Sequence, residues 1–74
     1  MNNVFEKLEN VILKMELEDP VGNIQYLAVS YDGGIYEIWL YEDEKWILKL
    51  NMDRDPSWNT IMHYVSKIIQ EIVD

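Results

Sequence analysis

The chain has 74 residues, of which fourteen are acidic and six are basic, so its formal net charge is −8 at pH 7. A small, strongly negative chain is unsuited to binding nucleic acid or anionic lipid directly, because both need clustered Lys and Arg against phosphate. The absence of Cys excludes disulfides and thiolate metal sites, and no basic leader or long apolar run predicts secretion or membrane insertion, so we expect one cytoplasmic domain over residues 1–74.

The first predicted element is a helix that begins near Val4. Asn3 and Glu6 have the spacing of a capping box. The apolar residues that follow recur at helical intervals: Val4, Phe5, Leu8, Val11, Ile12 and Met15. In an alternative interpretation the helix ends near Asn10 and residues 11–18 form a strand, because apolar and charged side chains alternate there. We expect the longer helix and keep the strand as the alternative.

A meander of three strands is predicted in the middle of the chain. Pro20 and Gly22 end the first element, and period-two runs rich in β-branched and aromatic residues follow at 24–31, 35–41 and 46–51. Gly33 and Gly34 suit the positive φ angles of a two-residue hairpin loop. An acidic turn at 42–45 then leads into the third strand.

The two-residue loop predicts which side chains share a face of the sheet. One face carries the residues expected in the core: Leu27, Val29, Tyr31, Tyr36, Ile38 and Leu40. If the second turn has an odd number of residues, Trp46, Leu48 and Leu50 join that face. The opposite face then carries Tyr26, Ala28, Ser30, Ile35, Glu37, Trp39, Tyr41, Ile47 and Lys49. Large rings beside charges are typical of a protein contact surface, although a helix covering each face is the alternative.

An amphipathic helix is predicted from Asp55 to the end of the chain, with Asp55 as its N-cap and Pro56 as its first helical residue. Its apolar residues recur at intervals of three and four: Trp58, Ile61, Met62, Val65, Ile68, Ile69, Ile72 and Val73. The sequence therefore predicts an α+β fold in which a three-stranded antiparallel meander is flanked by N- and C-terminal helices, with a fourth strand at residues 11–18 as the alternative.

No group of residues has the pattern of a catalytic, cofactor or metal site. His63 is the single histidine, and no carboxylate in its segment is placed to orient the ring. Asp53 and Asp55 begin like a calcium loop, but Trp58 stands where the glycine belongs and Tyr64 where the closing glutamate belongs. We expect no enzymatic activity, no cofactor and no metal.

Acidic residues group at loops and strand ends, and their convergence would attract a basic protein surface. We expect a protein-binding module, plausible as a nucleic-acid mimic that inhibits a nuclease or similar complex by occupying its basic groove. The predicted partner-binding residues are four carboxylates for approach and three rings as anchors: Glu37, Glu42, Asp43, Glu44, Tyr26, Trp39 and Tyr41.

The size, charge and element order are similar in general character to small phage-encoded inhibitors and toxin-neutralising proteins. That likeness implies an anti-defence role and assigns no residue. The alternative function is a structural or assembly protein that forms a homodimer through the aromatic face of its sheet.

Overall fold

The computed structural model describes residues 4–74, which form a four-stranded antiparallel sheet with one α-helix. A short 3-10 turn precedes the sheet, and the strands lie side by side in chain order. The elements are the N-terminal turn (Val4–Lys7), β1 (Val11–Glu18), β2 (Ile24–Asp32), β3 (Ile35–Glu42), β4 (Lys45–Met52) and α1 (Trp58–Val73). The predicted α+β class is confirmed, with the fourth strand present.

The long N-terminal helix predicted through Met15 is wrong, because residues 11–18 form β1 instead. The 3-10 turn ends at Lys7, and Asn10 adopts a left-handed φ of +58° that redirects the chain into the strand. Tyr31 donates its backbone N–H to the Asn10 carbonyl at 3.0 Å. The proposed cap residue Asn3 lies outside the described residues.

The alternating pattern of β1 explains why the strand forms in preference to the helix. Leu13, Met15 and Leu17 are half-buried against the core, while the residues between them are exposed. A single helix would have placed Leu13 and Leu17 away from its apolar face. Pairing with β2 gives every one of these apolar residues a partner on the covered side of the sheet.

The β2–β3 hairpin has the predicted two-residue loop and the predicted register. Gly33 and Gly34 have φ angles of +58° and +89°, as a type I′ turn requires. Leu27 pairs with Leu40 and Val29 pairs with Ile38, which places all four side chains on the predicted core face.

The β3–β4 hairpin differs from the expected arrangement, because its loop also has two residues, Asp43 and Glu44. Trp46 therefore pairs with Tyr41 and lies on the face opposite the core. A β-bulge between Ile38 and Trp39 then shifts the register by one residue. Leu50 returns to the core face opposite Ile38, whereas Leu48 pairs with Trp39 and is 42% exposed.

Helix α1 begins later than predicted, with Ser57 as its N-cap. Ser57 Oγ accepts the backbone N–H of Thr60 at 3.2 Å. Asp55, the predicted cap, instead has a left-handed φ of +46° and accepts a hydrogen bond from the Tyr31 hydroxyl. Pro56, predicted as the first helical residue, therefore precedes the cap. Within residues 4–74 no helix has both the length and the apolar character needed to cross a membrane.

The core lies between α1 and one face of the sheet. Its fully enclosed side chains come from β2, β3 and α1: Leu27, Val29, Ile38, Leu40, Ile61 and Val65. Within residues 4–74, α1 covers only this face, and the N-terminal turn packs on part of the opposite face through Phe5.

Candidate functional site

The meander brings three acidic segments to one end of the molecule. In an antiparallel meander the first and third connections lie at the same end of the sheet, and here these are the β1–β2 loop and the β3–β4 turn. The last turn of α1 reaches the same end, because Asp19, Glu42, Glu71 and Asp74 line one open cleft of about 460 Å³. The segments 18–19, 42–44 and 71–74 therefore meet in space.

We call this region the acidic end and define it by Glu18, Asp19, Glu42, Asp43, Glu44, Glu71 and Asp74. These residues are half of the fourteen acidic residues in the chain. A second cleft of about 510 Å³ adjoins the first and is lined by Tyr41 together with Glu42, Asp43 and Glu44. The predicted carboxylates 42–44 thus lie beside one predicted aromatic residue.

The Asp19 carboxylate is held in place by its own loop. Its Oδ1 accepts the backbone N–H groups of Val21 at 3.1 Å and Asn23 at 2.8 Å. The Asp19 N–H also donates to the Asn23 carbonyl at 2.9 Å, which closes the loop. This carboxylate therefore has a defined position at the acidic end.

Asp43 and Glu44 both adopt left-handed backbone conformations, with φ angles of +51° and +64°. Such a two-residue loop is best satisfied by Asn-Gly or Asp-Gly, so Asp43 suits the first position, whereas Glu44 is strained at the second position, which favours Gly. Both side chains are exposed. The turn therefore presents two charged groups, and Glu44 stands at a position where Gly would fold more easily.

Two features set the electrostatics of the acidic end. Lys49 Nζ lies 3.7 Å from Glu42 Oε2, and each side chain is 36% exposed, so this ion pair offsets one charge and contributes little stability. Glu71 and Asp74 lie at the C-terminal end of α1, where the helix dipole is already negative. The field at this end is therefore stronger than the side chains of the loops alone would produce.

Gln25 lines both clefts, between the carboxylates of the two loops. Its Oε1 atom is buried and finds no hydrogen-bond partner within residues 4–74. Burial of an acceptor without a donor opposes folding locally, and this atom is not exposed to a docking partner.

The predicted rings Tyr26 and Tyr41 contact each other on the sheet face opposite α1. Their ring centroids are 6.1 Å apart, and Tyr41 lies 5.2 Å from Trp46, both in edge-on geometry. We call Tyr26, Tyr41 and Trp46 the aromatic face. The sequence did not assign Trp46 to this face, because the number of residues in the second turn could not be read from it.

Trp39 and Glu37 lie farther along β3 from the acidic end. Trp39 is half-buried and donates its Nε1–H to Ser30 Oγ at 3.1 Å. Glu37 lines a separate depression with Lys7 and Asp32. Of the seven predicted partner-binding residues, the structure therefore groups Glu42, Asp43, Glu44 and Tyr41 at the acidic end, with Tyr26 adjoining them.

The third acidic group in the sequence, around Asp53 and Asp55, does not join the acidic end. Tyr31 donates its hydroxyl to Asp55 Oδ1 at 3.4 Å beside the β2–β3 turn. The charge of Asp55 raises the pKa of Tyr31 above its ordinary value of 10.0, with smaller contributions from partial burial and this hydrogen bond.

The remaining polar residues do not assemble into a metal-binding group. His63 is exposed and its ring lies 5.3 Å from that of Tyr64. Across residues 4–74, no three His, Asp or Glu side chains are close enough together to hold a metal ion.

Sequence reasoning also missed Glu71 and Asp74. The available signal was acidic residues at the end of a helix, where Lys or Arg would be favourable.

In comparisons with known proteins, no family model, no curated protein and no solved structure matches this chain.

Proposed function

We propose that this chain is a non-enzymatic protein-binding module whose acidic end docks on a basic protein surface. The observation that carries the proposal is the convergence of segments 18–19, 42–44 and 71–74, which are distant in sequence, at one end of the sheet. Clustered charge of one sign accelerates encounter with an oppositely charged surface and aligns the two partners.

The energetic cost of this arrangement supports a role in binding. Glu44 occupies a left-handed position that favours Gly, and Glu71 and Asp74 add charge at the negative end of a helix dipole. Each feature opposes folding. Residues that oppose folding locally are concentrated at functional sites, because binding is what retains them.

The partner's chemistry follows from the acidic end. Lys and Arg side chains carry only hydrogen-bond donors, so they complement the carboxylates of the acidic end. Tyr41 lies beside these groups and can supply apolar contact area at the centre of the interface. Tyr26, Trp39 and Glu37 are secondary contacts in this proposal.

In its specific form, the protein is a nucleic-acid mimic that inhibits a nuclease or another nucleic-acid-processing complex. Carboxylates at the acidic end would take the places of phosphates in a basic groove, and occupancy of the groove would exclude the substrate. An anti-defence role of the kind performed by small phage-encoded inhibitors is consistent with this mode of action, by analogy alone.

The test is association kinetics with a panel of immobilised basic nucleases and with proteins captured from a cell lysate. The triple variant Glu42→Lys, Asp43→Lys and Glu44→Lys should associate at least about tenfold more slowly than the wild type with any specific target. The matched control is Glu6→Lys, Glu9→Lys and Asp53→Lys, which changes net charge equally and leaves the acidic end intact.

Binding should also weaken as salt rises from about 50 to 300 mM, because a Debye length shrinks over this range. Equal association rates for the two triple variants would show that the acidic end is not part of the interface. Binding that is indifferent to salt would refute charge-guided docking altogether.

A second candidate function is assembly of a homodimer, and the exposure of Leu48 favours it. Leu48 is 42% exposed on edge strand β4, directly opposite Trp39 in the ladder. Sedimentation velocity at micromolar concentration should then detect a dimer that Leu48→Lys dissociates. A wild-type monomer would eliminate this candidate.

A further inference from the structure

The N-terminal turn covers the aromatic face by inserting Phe5. The Phe5 ring centroid lies 5.7 Å from that of Tyr26, nearly perpendicular to it, and 5.6 Å from that of Trp46. Lys14 Nζ lies 5.6 Å from the Phe5 centroid on the neighbouring strand β1. Two rings and one cation therefore lie around the Phe5 ring.

A backbone contact accompanies the ring. Trp46 donates its Nε1–H to the carbonyl of Val4 at 2.9 Å. The aromatic face thus recognises two features together, an aromatic side chain and the peptide carbonyl of the residue before it. Neither feature is particular to this segment, because any short peptide with an aromatic residue carries both.

The N-terminal turn, Val4–Lys7, packs on the aromatic face without taking part in the core of the fold. It is a 3-10 turn outside the strand ladder, and Asn10, with its left-handed φ of +58°, joins it to β1. None of its residues belongs to the enclosed core formed by β2, β3 and α1. Removing the segment from the aromatic face would leave that core packed.

We propose that the aromatic face is a binding site for a short peptide segment with an aromatic side chain from another protein, and that Val4–Lys7 occupies this site in cis. The site lies on the opposite face of the sheet from the core. It shares Tyr26 and Tyr41 with the proposed interface, but the Phe5 contact that carries it is independent of the acidic end. An external peptide must displace Phe5 before it can bind, so the chain's own N-terminal turn lowers the apparent affinity of the site for that peptide.

The experiment uses the full chain and a labelled peptide that reproduces residues 4–10, Val-Phe-Glu-Lys-Leu-Glu-Asn. The protein variant is Phe5→Ala, whose own segment no longer supplies the ring. A tethered segment competes at an effective concentration in the millimolar range, so the peptide should bind Phe5→Ala at least about tenfold more tightly than the wild type. Fluorescence anisotropy measures the binding.

Two controls make the result specific. The same peptide with the Phe5→Ala change should not bind either protein, and adding Trp46→Phe to the protein variant should weaken binding, because it removes the donor to the peptide carbonyl. Phe5→Leu retains apolar bulk without a ring and serves as the second protein variant if Phe5→Ala fails to fold by circular dichroism.

Three outcomes would overturn the proposal. The first is equal affinity of the peptide for the wild type and for the folded Phe5 variant, which would mean that the two segments do not compete. The second is absence of binding to the folded variant at millimolar peptide. The third is a wild-type dimer that Phe5→Ala dissociates, which would identify the occupant as the N-terminal segment of a second copy.

Discussion

At the scale of single residues, Tyr31 and Asp55 form the contact with the clearest titration behaviour. The Asp55 charge is the largest cause of the raised pKa of Tyr31, because a negative carboxylate disfavours a second negative charge on the phenol. Asp55→Asn should therefore move the Tyr31 pKa back toward 10.0. Ultraviolet titration of tyrosinate measures it, with Tyr31→Phe as the variant that identifies the Tyr31 signal among five tyrosines.

The sign of the pH dependence follows from the direction of this shift. The folded protein holds the Tyr31 proton more tightly than the unfolded chain does, so the associated stability is fully present below the unfolded pKa. It is lost as pH rises through the higher folded value. An alkaline unfolding profile that is the same for wild type and Asp55→Asn would contradict this coupling.

The Trp39–Ser30 hydrogen bond is the second residue-scale feature. Ser30 is 5% exposed and accepts from Trp39 Nε1 at 3.1 Å. Ser30→Ala should lower the free energy of unfolding by about 1 to 2 kcal/mol, because it leaves the indole N–H without its partner. Urea denaturation measures the change.

The matched control for Ser30→Ala is Ser66→Ala, at an exposed position of α1. Alanine is the better helix former, so this change should be neutral or slightly stabilising. A loss of stability at Ser30 no larger than that at Ser66 would mean that water satisfies the Trp39 N–H.

At the scale of secondary-structure elements, the β3–β4 turn is where a substitution should raise stability and weaken binding together. The double variant Asp43→Asn and Glu44→Gly introduces the residues that a type I′ turn favours. It should raise the free energy of unfolding by about 1 to 2 kcal/mol, since Glu44→Gly relieves the strained left-handed position. The proposed function predicts that the same variant associates more slowly with a basic partner.

The β2–β3 turn supplies the control with the opposite sign. Gly34→Ala adds a Cβ atom at a φ of +89°, within 3.7 Å of the Asp55 carboxylate. This change should destabilise the hairpin. If the double variant of the β3–β4 turn proved destabilising as well, the acidic turn would not be strained.

At the scale of the whole molecule, charge repulsion should make stability depend on salt. The chain carries a net charge of −8, and half of its carboxylates lie at the acidic end. Sodium chloride screens repulsion between them, so the melting temperature should rise with salt. A gain of about 1 kcal/mol corresponds to a rise of about 4 to 8 °C for a domain of this size.

The triple lysine variant at positions 42–44 is the control for this prediction. It removes most of the repulsion at the acidic end, so its melting temperature should depend less on salt than that of the wild type. Calorimetry across the same salt series compares the two. Equal salt dependence would show that the repulsion is spread over the whole surface.

The sequence by itself determined the features that depend on local geometry. Gly33 and Gly34 specify a two-residue hairpin, and that loop length determines which residues of β2 and β3 share a face. The three- and four-residue spacing from Trp58 onward determines an amphipathic helix. These outcomes need only neighbouring residues, because turn conformation and side-chain periodicity are properties of the local chain.

Only the tertiary structure decided the features that depend on contacts between distant segments. Residues 11–18 suited a helix or a strand, and pairing with β2 selected the strand. Because of the bulge between Ile38 and Trp39, Leu50 lies on the core face and Leu48 lies on the opposite face. The acidic end and the Phe5 contact likewise join residues far apart in sequence. The periodicity of apolar residues carries no information about such tertiary contacts, because the free energy of packing one segment against another selects them.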